Sequence, residues 1–473
     1  MNIKKYVGDR VFYKSLLSVA IPVAIQNSIT NFIGMLDNIM VGQIGTEQMT
    51  GVSIVNQLIF VFNLCIFGAV SAAGLFGAQF FGKGDHEGVR HSFRFKLLIT
   101  AVILAVAIAI FWLLGEPLIG LYLHEGSETG DLALTMQNGK EYLAVMIWGL
   151  VPYALAQIYS TTLREIGHAM PPMFAGVAGV LVNLCLNYVL IFGKLGAPVM
   201  GVKGAAIATL ISRFAELGII ILWTHLHSQK CEFIKGAYRS MRIPTSLVKR
   251  ILVTGFPLML NEMLWAMGMS VLLQCYSYRG IAVVSAINIS NTVLNTASVL
   301  YLAIGTAISV LIGQRLGAGE REEAKDAAWK MILFSVFMGV LGGLVVAVVA
   351  PFFPMIYNTT HEVRGYATSF MFSVAAAMPL AAFVNATYFV LRSGGKTFVT
   401  FLFDSCYVWC VNVLLALILA RFTSMPVAWV YFCCHMIDAI KCVIGGVLVK
   451  KGIWITDITG MEGESSTKEI ENI

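Results

Sequence analysis

Asp37 stands near the end of an apolar stretch, residues 21–40, that reads IPVAIQNSITNFIGMLDNIM. A carboxylate at a bilayer centre costs roughly 2.5–3.5 kcal/mol, so acids that persist there face a cavity, a partner or an ion. Its best candidate partners are Asn183 and Asn187, four residues apart and therefore on one face of a helix. Amide oxygens and a carboxylate are hard ligands suited to Na+, and the carboxylate alone could instead carry a proton. The same two amides could also serve only to hydrogen-bond neighbouring helices together. Pro22 removes a backbone donor near the cytoplasmic end of the same helix and gives it a place to bend.

Other polar residues interrupt apolar segments. Glu262 lies in the middle of FPLMLNEMLWAMG. Arg213 and Glu216, and likewise Asp438 and Lys441, are spaced i, i+3, so each pair can neutralise itself along one helix face; structural ion pairs are the expectation for both. His435 reads as a hydrogen-bonded packing residue. Asn288, Asn291 and Asn295 share a helix face and either line a cavity or cross-link helices. No P-loop and no zinc-spaced Cys/His set is present, so the sequence suggests neither ATP drive nor a metal enzyme.

The elements that must position these groups are membrane helices. Of 473 residues, 58% are hydrophobic and only 12% charged, about half the charge of a soluble domain. Twelve apolar segments are long enough to span: 14–41, 52–77, 95–115, 140–162, 172–193, 202–224, 247–276, 282–313, 329–353, 365–391, 398–420 and 427–449. Their length predicts an all-α membrane protein rather than a barrel. With the N-terminus inside, twenty-four Lys and Arg fall in cytoplasmic segments and six outside, which predicts both termini in the cytoplasm and a multi-pass place in the cell's plasma membrane. The nine cysteines, an odd number and all but Cys231 in apolar segments, read as packing residues. The net charge of +6 is explained by basic loops and calls for no nucleic acid.

The chain also repeats itself. At an offset of 235 positions Pro22 falls on Pro257, Asn56 on Asn291, Gln79 on Gln314, Gly82 on Gly317 and Gly84 on Gly319. Leu163-Arg164 falls on Leu391-Arg392 at an offset of 228. The expected organisation is a six-helix bundle over 1–225, a cytoplasmic linker over 226–246, a second bundle over 247–451 and a cytoplasmic polar tail over 452–473, without fixed structure from Thr456 onward. Six helices per copy make the two copies parallel, with a site between them near mid-membrane.

The paired prolines, the paired-glycine loops AQFFGKGDHEG and GQRLGAGEREE, and LREIG with LRSGG resemble the multidrug and toxic compound extrusion (MATE) transporters over roughly residues 10–450. The resemblance implies a V-shaped pair of bundles that exports organic, often cationic compounds against inward Na+ or H+. It places Asp37, Asn183, Asn187 and Thr209 at an N-lobe cation site, although some members have an acid where Asn187 stands. It makes Glu262 a C-lobe residue for cation or substrate. Some members carry a further acid near Ala381; here Asn385 lies a turn later, and Asp404, nearer the cytoplasmic side, could supply a second charge, with Asn288 a further C-lobe candidate. No cofactor beyond the coupling ion is expected. The partners are small organic molecules and the lipid bilayer, and a monomer is expected. A flippase for a lipid-linked saccharide is the alternative, disfavoured because pyrophosphate would call for several unpaired Arg or Lys. A non-transporting membrane enzyme or scaffold fits less well, given the repeat and the lack of a catalytic cluster.

Overall fold

The computed structural model describes residues 8–123, 131–357 and 359–460. The helices are α1 (Arg10–Gly42), α2 (Thr46–Gly82), α3 (His86–Gly120), α4 (Leu132–Glu165), α5 (Met170–Phe192), α6 (Gly201–Leu226), α7 (Thr245–Ser277), α8 (Ile281–Gly317), α9 (Arg321–Val349) and α10 (His361–Ser393). An eleventh rod runs from α11 (Thr397–Phe401) through two π-helical stretches, Leu402–Cys406 and Val408–Val413, into α12 (Leu414–Phe422). The last rod is divided at Ile437 into α13 (Val427–Met436) and α14 (Asp438–Lys451). Eleven helical rods among the described residues are long and apolar enough to cross a membrane. Helix is what such apolar runs must form in hydrocarbon, where water cannot satisfy the backbone and each segment must satisfy its own. Prolines inside α1, α4, α7 and α10 (Pro22, Pro152, Pro257 and Pro379) are compatible with that environment.

The chain forms two compact units. One comprises residues 18–73 and 93–248. In it α6 packs against α4 and α5 through small residues: a Cβ on Gly179 of α5 would lie 3.2 Å from both Glu216 Cβ and the Ser212 carbonyl oxygen of α6. The stretch 226–246 is shaped rather than loose. Arg94 donates from Nε to Ala237 O and from Nη2 to Gly236 O, both at 2.8 Å. Cys231 and Phe233, within this stretch, are buried.

The other unit comprises residues 1–17, 74–92 and 249–473, so the start of the first helix and the end of the second belong to it. Gly339 and Gly343 let α9 press on α10, where a Cβ on Gly343 would sit 2.5 Å from Ala375 O. The end of α2 meets the end of α8 with the same kind of intimacy. A Cβ on Gly82 would lie 1.8 Å from Gln314 O, and one on Gly317 would lie 1.8 Å from Gln79 O, so only glycine fits at either place.

The start of the C-terminal tail differs from the sequence expectation. Trp454 is fully buried, with its Nε1 donating to Val449 O at 3.1 Å. Gln79 donates to Ser393 O and Thr456 O and accepts from Ile458 N. Arg250 donates to Gly460 O at 2.8 Å. Residues 461–473 lie outside the described residues.

Candidate functional site

In the unit formed by residues 18–73 and 93–248, α1 brings Asp37 to α5 and α6. Asn187 Nδ2 donates to Asp37 Oδ1. The Asn183 amide, turned so that its nitrogen faces the acid, donates to Asp37 Oδ1 at 2.9 Å and Oδ2 at 3.2 Å, and its oxygen accepts from the Thr209 hydroxyl at 3.2 Å. The four side chains expected to converge thus do so. Helical spacing aligned the two asparagines, and both are buried.

One polar atom in this cluster lacks a partner. Asn187 Oδ1 is buried and accepts no hydrogen bond among the described residues. A buried polar atom without a partner costs about 1–3 kcal/mol, and a cation beside the carboxylate would remove that cost. The donor set of one carboxylate, two amide oxygens and a hydroxyl fits a hard monovalent cation. Local spacing held no signal for Tyr142, a buried tyrosine of α4 whose hydroxyl reaches Asn56 at 3.4 Å. Arg213 pairs with Glu216 at 3.1 Å as the i, i+3 spacing predicts, and it also lies over the Tyr153 ring.

In the other unit the acids have different company. Tyr388 of α10 donates to Glu262 Oε1 at 3.2 Å, and Arg392 Nη1 lies 3.8 Å from the same oxygen. Asp404, on the first π-helical stretch, accepts from Lys441 Nζ at 2.6 Å and from Asn261 Nδ2 at 3.1 Å. Asn261 is locked in turn by Ser405, whose hydroxyl donates to the asparagine side chain at 2.7 Å. Asn261 and Tyr388 were not anticipated, because their roles come from distant segments rather than local spacing.

Two expectations change here. Lys441 does not neutralise Asp438 one turn before it. It turns to Asp404, 37 positions away, while Asp438 accepts from Asn412 Nδ2 at 3.1 Å. The physical reason is placement: Asp438 opens α14 after the break at Ile437, and the π-helical stretch presents Asp404 to the buried face that carries Lys441. Asn288 and Asn385, proposed beside Glu262, are not joined to it by a hydrogen bond among the described residues. Asn288 is exposed on α8, and Asn385 packs against Gly305, where an added Cβ would meet its Oδ1 at 2.5 Å. His435 offers Nδ1 to Tyr431 O at 3.0 Å, in keeping with a packing residue.

The MatE family model matches residues 22–189 and 257–418, two stretches that begin on Pro22 and Pro257. A probable multidrug resistance protein NorM from Thermotoga maritima is 28% identical over 334 residues, covering 69% of each chain. A MATE crystal structure in the bent conformation matches with TM-score 0.84 at 18% identity, over 100% of this chain and 99% of that one. A point mutant of the Vibrio cholerae MATE transporter VcmN matches with TM-score 0.84 at 18% identity, over 94% of this chain and 97% of that one. The chain belongs to the MatE family and is a membrane transporter of the multidrug class, not an enzyme.

Proposed function

We propose that this protein is a secondary-active exporter that moves organic, often cationic compounds out of the cell against an inward flow of Na+ or H+, with Asp37 as the coupling group. The observation that carries this reading is the convergence of Asp37 with Asn183, Asn187 and Thr209, together with the unpartnered Asn187 oxygen. Side-chain amides suit the task because they can serve either state. With the site cation-free, their NH2 groups donate to the carboxylate; rotated by half a turn, they offer oxygens to a cation. A cation held there lowers the charge on Asp37, and α1 has in Pro22 a bend point through which that change could move the helix.

In this reading twelve helices form two parallel copies of six in a V, with both termini cytoplasmic in the plasma membrane, acting as a monomer. Support for the two copies comes from the paired starts of the family match and from the reciprocal contacts of Gly82 with Gln314 and Gly317 with Gln79. Glu262 is the C-lobe group for cation or cationic substrate. A flippase of pyrophosphate-linked saccharide gains no support, since Lys96, Arg213 and Lys441 are each engaged by an acid.

The test is transport into sealed proteoliposomes with Na+ and pH gradients imposed separately. Accumulation of a cationic dye that depends on one gradient and disappears in Asp37→Asn supports the reading. Accumulation that ignores both gradients overturns it.

A further inference from the structure

The rearranged pairing of Lys441 leaves Asp438 as a carboxylate near the middle of the last membrane-spanning rod, Val427–Lys451, without a compensating cation. Among the described residues no Lys, Arg or His lies within ion-pair distance of it. Glu262 has Arg392 and Asp404 has Lys441. An acid in mid-membrane with no counter-charge is costly, and a transported or coupled ion is the common reason for one to be kept.

Asp438 faces the bundle rather than lipid. On α14 the large apolar side chains Ile440, Val443, Ile444 and Val447 are exposed, whereas Lys441, Gly445 and Val449 are buried and Asp438 is half-buried. Asp438, three residues before Lys441, shares the buried side. What meets it there is Asn412, only 8% exposed. Its Nδ2 donates to Asp438 Oδ1 at 3.1 Å, and its own Oδ1 is buried without a hydrogen-bond partner among the described residues. A carboxylate and an orphaned amide oxygen side by side are the same two donor types that surround Asp37.

The backbone supports this position on both sides. Asn412 lies on the second π-helical stretch, and such stretches often mark functional sites in helices. Asp438 begins α14 directly after the break at Ile437, whose carbonyl accepts from the Tyr407 hydroxyl at 2.7 Å as well as from Ile440 N at 3.0 Å. Interrupted membrane helices are the usual place for transporter ion sites.

We infer that Asp438 and Asn412 form a further monovalent-cation site, for H+ or Na+, built at the junction of the eleventh and twelfth rods. It rests on the reading of the chain as an ion-coupled exporter and adds a binding point separate from Asp37 and Glu262. The titratable groups that interact with Asp438 are Tyr407 on the eleventh rod and Cys434, His435 and Cys442 on the twelfth. Lys441 is held at Asp404, so a cation at Asp438 does not have to displace an ammonium.

The test reads cation binding without substrate or gradient. Purified protein in lipid nanodiscs is unfolded thermally in two series: Na+ titrated against choline at fixed pH, and pH varied without Na+. A bound ion stabilises the folded state, so each site appears as a cation-dependent shift in Tm. In whichever series the wild type responds, Asp438→Asn and Asn412→Ala should each displace the response by about tenfold in cation concentration, equivalent to about 1.4 kcal/mol. The double variant with Asp37→Asn should show the sum of the two effects, as separate sites do. The series that responds identifies the ion.

Wild-type titration curves in both variants overturn the inference, as does a wild type that responds in neither series. If Asp438→Asn does not fold, Asn412→Ala alone decides by the same criterion. The outcome is distinguishable from failure of the export reading. A protein that exports under an ion gradient, yet titrates unchanged in both variants, keeps its function and loses this site. One that exports nothing, but loses cation response in both variants, keeps the site.

Discussion

Asp37 and Asp404 are both membrane carboxylates, and they are neutralised in opposite ways. Asp37 is surrounded by amides and a hydroxyl, groups that can donate to a charged acid or turn and coordinate a cation beside it. Asp404 is held by the ammonium of Lys441 at 2.6 Å and by an asparagine that Ser405 locks in place. In the proposed mechanism, the amide cage leaves the acid free to take up an ion. The salt bridge has filled that role with a side chain. Glu262 lies between the two cases, with a tyrosine hydroxyl at 3.2 Å and a guanidinium farther off at 3.8 Å. The lesson is that an intramembrane acid is not by itself an ion site; the chemistry of its neighbours decides whether it exchanges cations or anchors helices.

The contrast is sharpest where one substitution should stop transport and the other should unfold the protein. Asp37→Asn is expected to reduce accumulation of a cationic dye against its gradient to the leak level, a loss within the 5–150-fold range of about 1–3 kcal/mol of coupling. Its abundance in the membrane should stay normal, because the neighbouring amides can hydrogen-bond an amide as they do an acid. Inverted vesicles report the first and a quantitative blot the second; normal uphill accumulation would assign coupling elsewhere. Lys441→Met should do the reverse, leaving Asp404 charged and unpaired in a buried setting. Breaking such a pair costs about 3–5 kcal/mol, read as a large fall in Tm in detergent. A Tm within a degree or two of wild type would show that Asp404 finds another partner.

Glu262→Gln is the intermediate case. It should reduce export of cationic substrates by about tenfold, in the lower part of the range for a coupling interaction, while leaving neutral substrates less affected. Equal efflux of several cationic dyes would remove Glu262 from the mechanism. The smallest effect belongs to a residue outside the membrane spans. Burial pushes the Cys231 thiol up to about 11, so little thiolate is present at neutral pH. Maleimide at pH 7.5 should leave Cys231 unmodified in folded protein and label it once the stretch around it is unfolded.

How much of this was legible in the sequence depended on range. The convergence on Asp37 could be anticipated because Asn183 and Asn187 announce a shared face by their spacing, and the family resemblance added Thr209. The same rule misled at Asp438 and Lys441. Their i, i+3 spacing is real, but a break in the helix and π-helical turns in the neighbouring rod redirect the lysine to a partner 37 positions away. No local pattern reports a π-turn. Asn261, Tyr388 and Asn412 were missed for the same reason: each looks like an ordinary polar interruption until the tertiary partner is known. The membrane class and helical fold were readable from composition and run length, which depend on solvent rather than on long-range contact.

The Gln79 contact bears on where this chain can be cut or extended. The polypeptide does not end structurally with its last membrane helix, because Trp454 fills a fully buried position and Gln79 and Arg250 grip the backbone from Thr456 to Gly460. A truncation after Lys451 would empty that position and strand a buried glutamine that now uses both ends of its amide. One after Gly460 would disturb none of these bonds. An affinity tag or fluorescent reporter therefore belongs beyond residue 460, and a protease that clips the tail there should leave the protein's melting behaviour as it was.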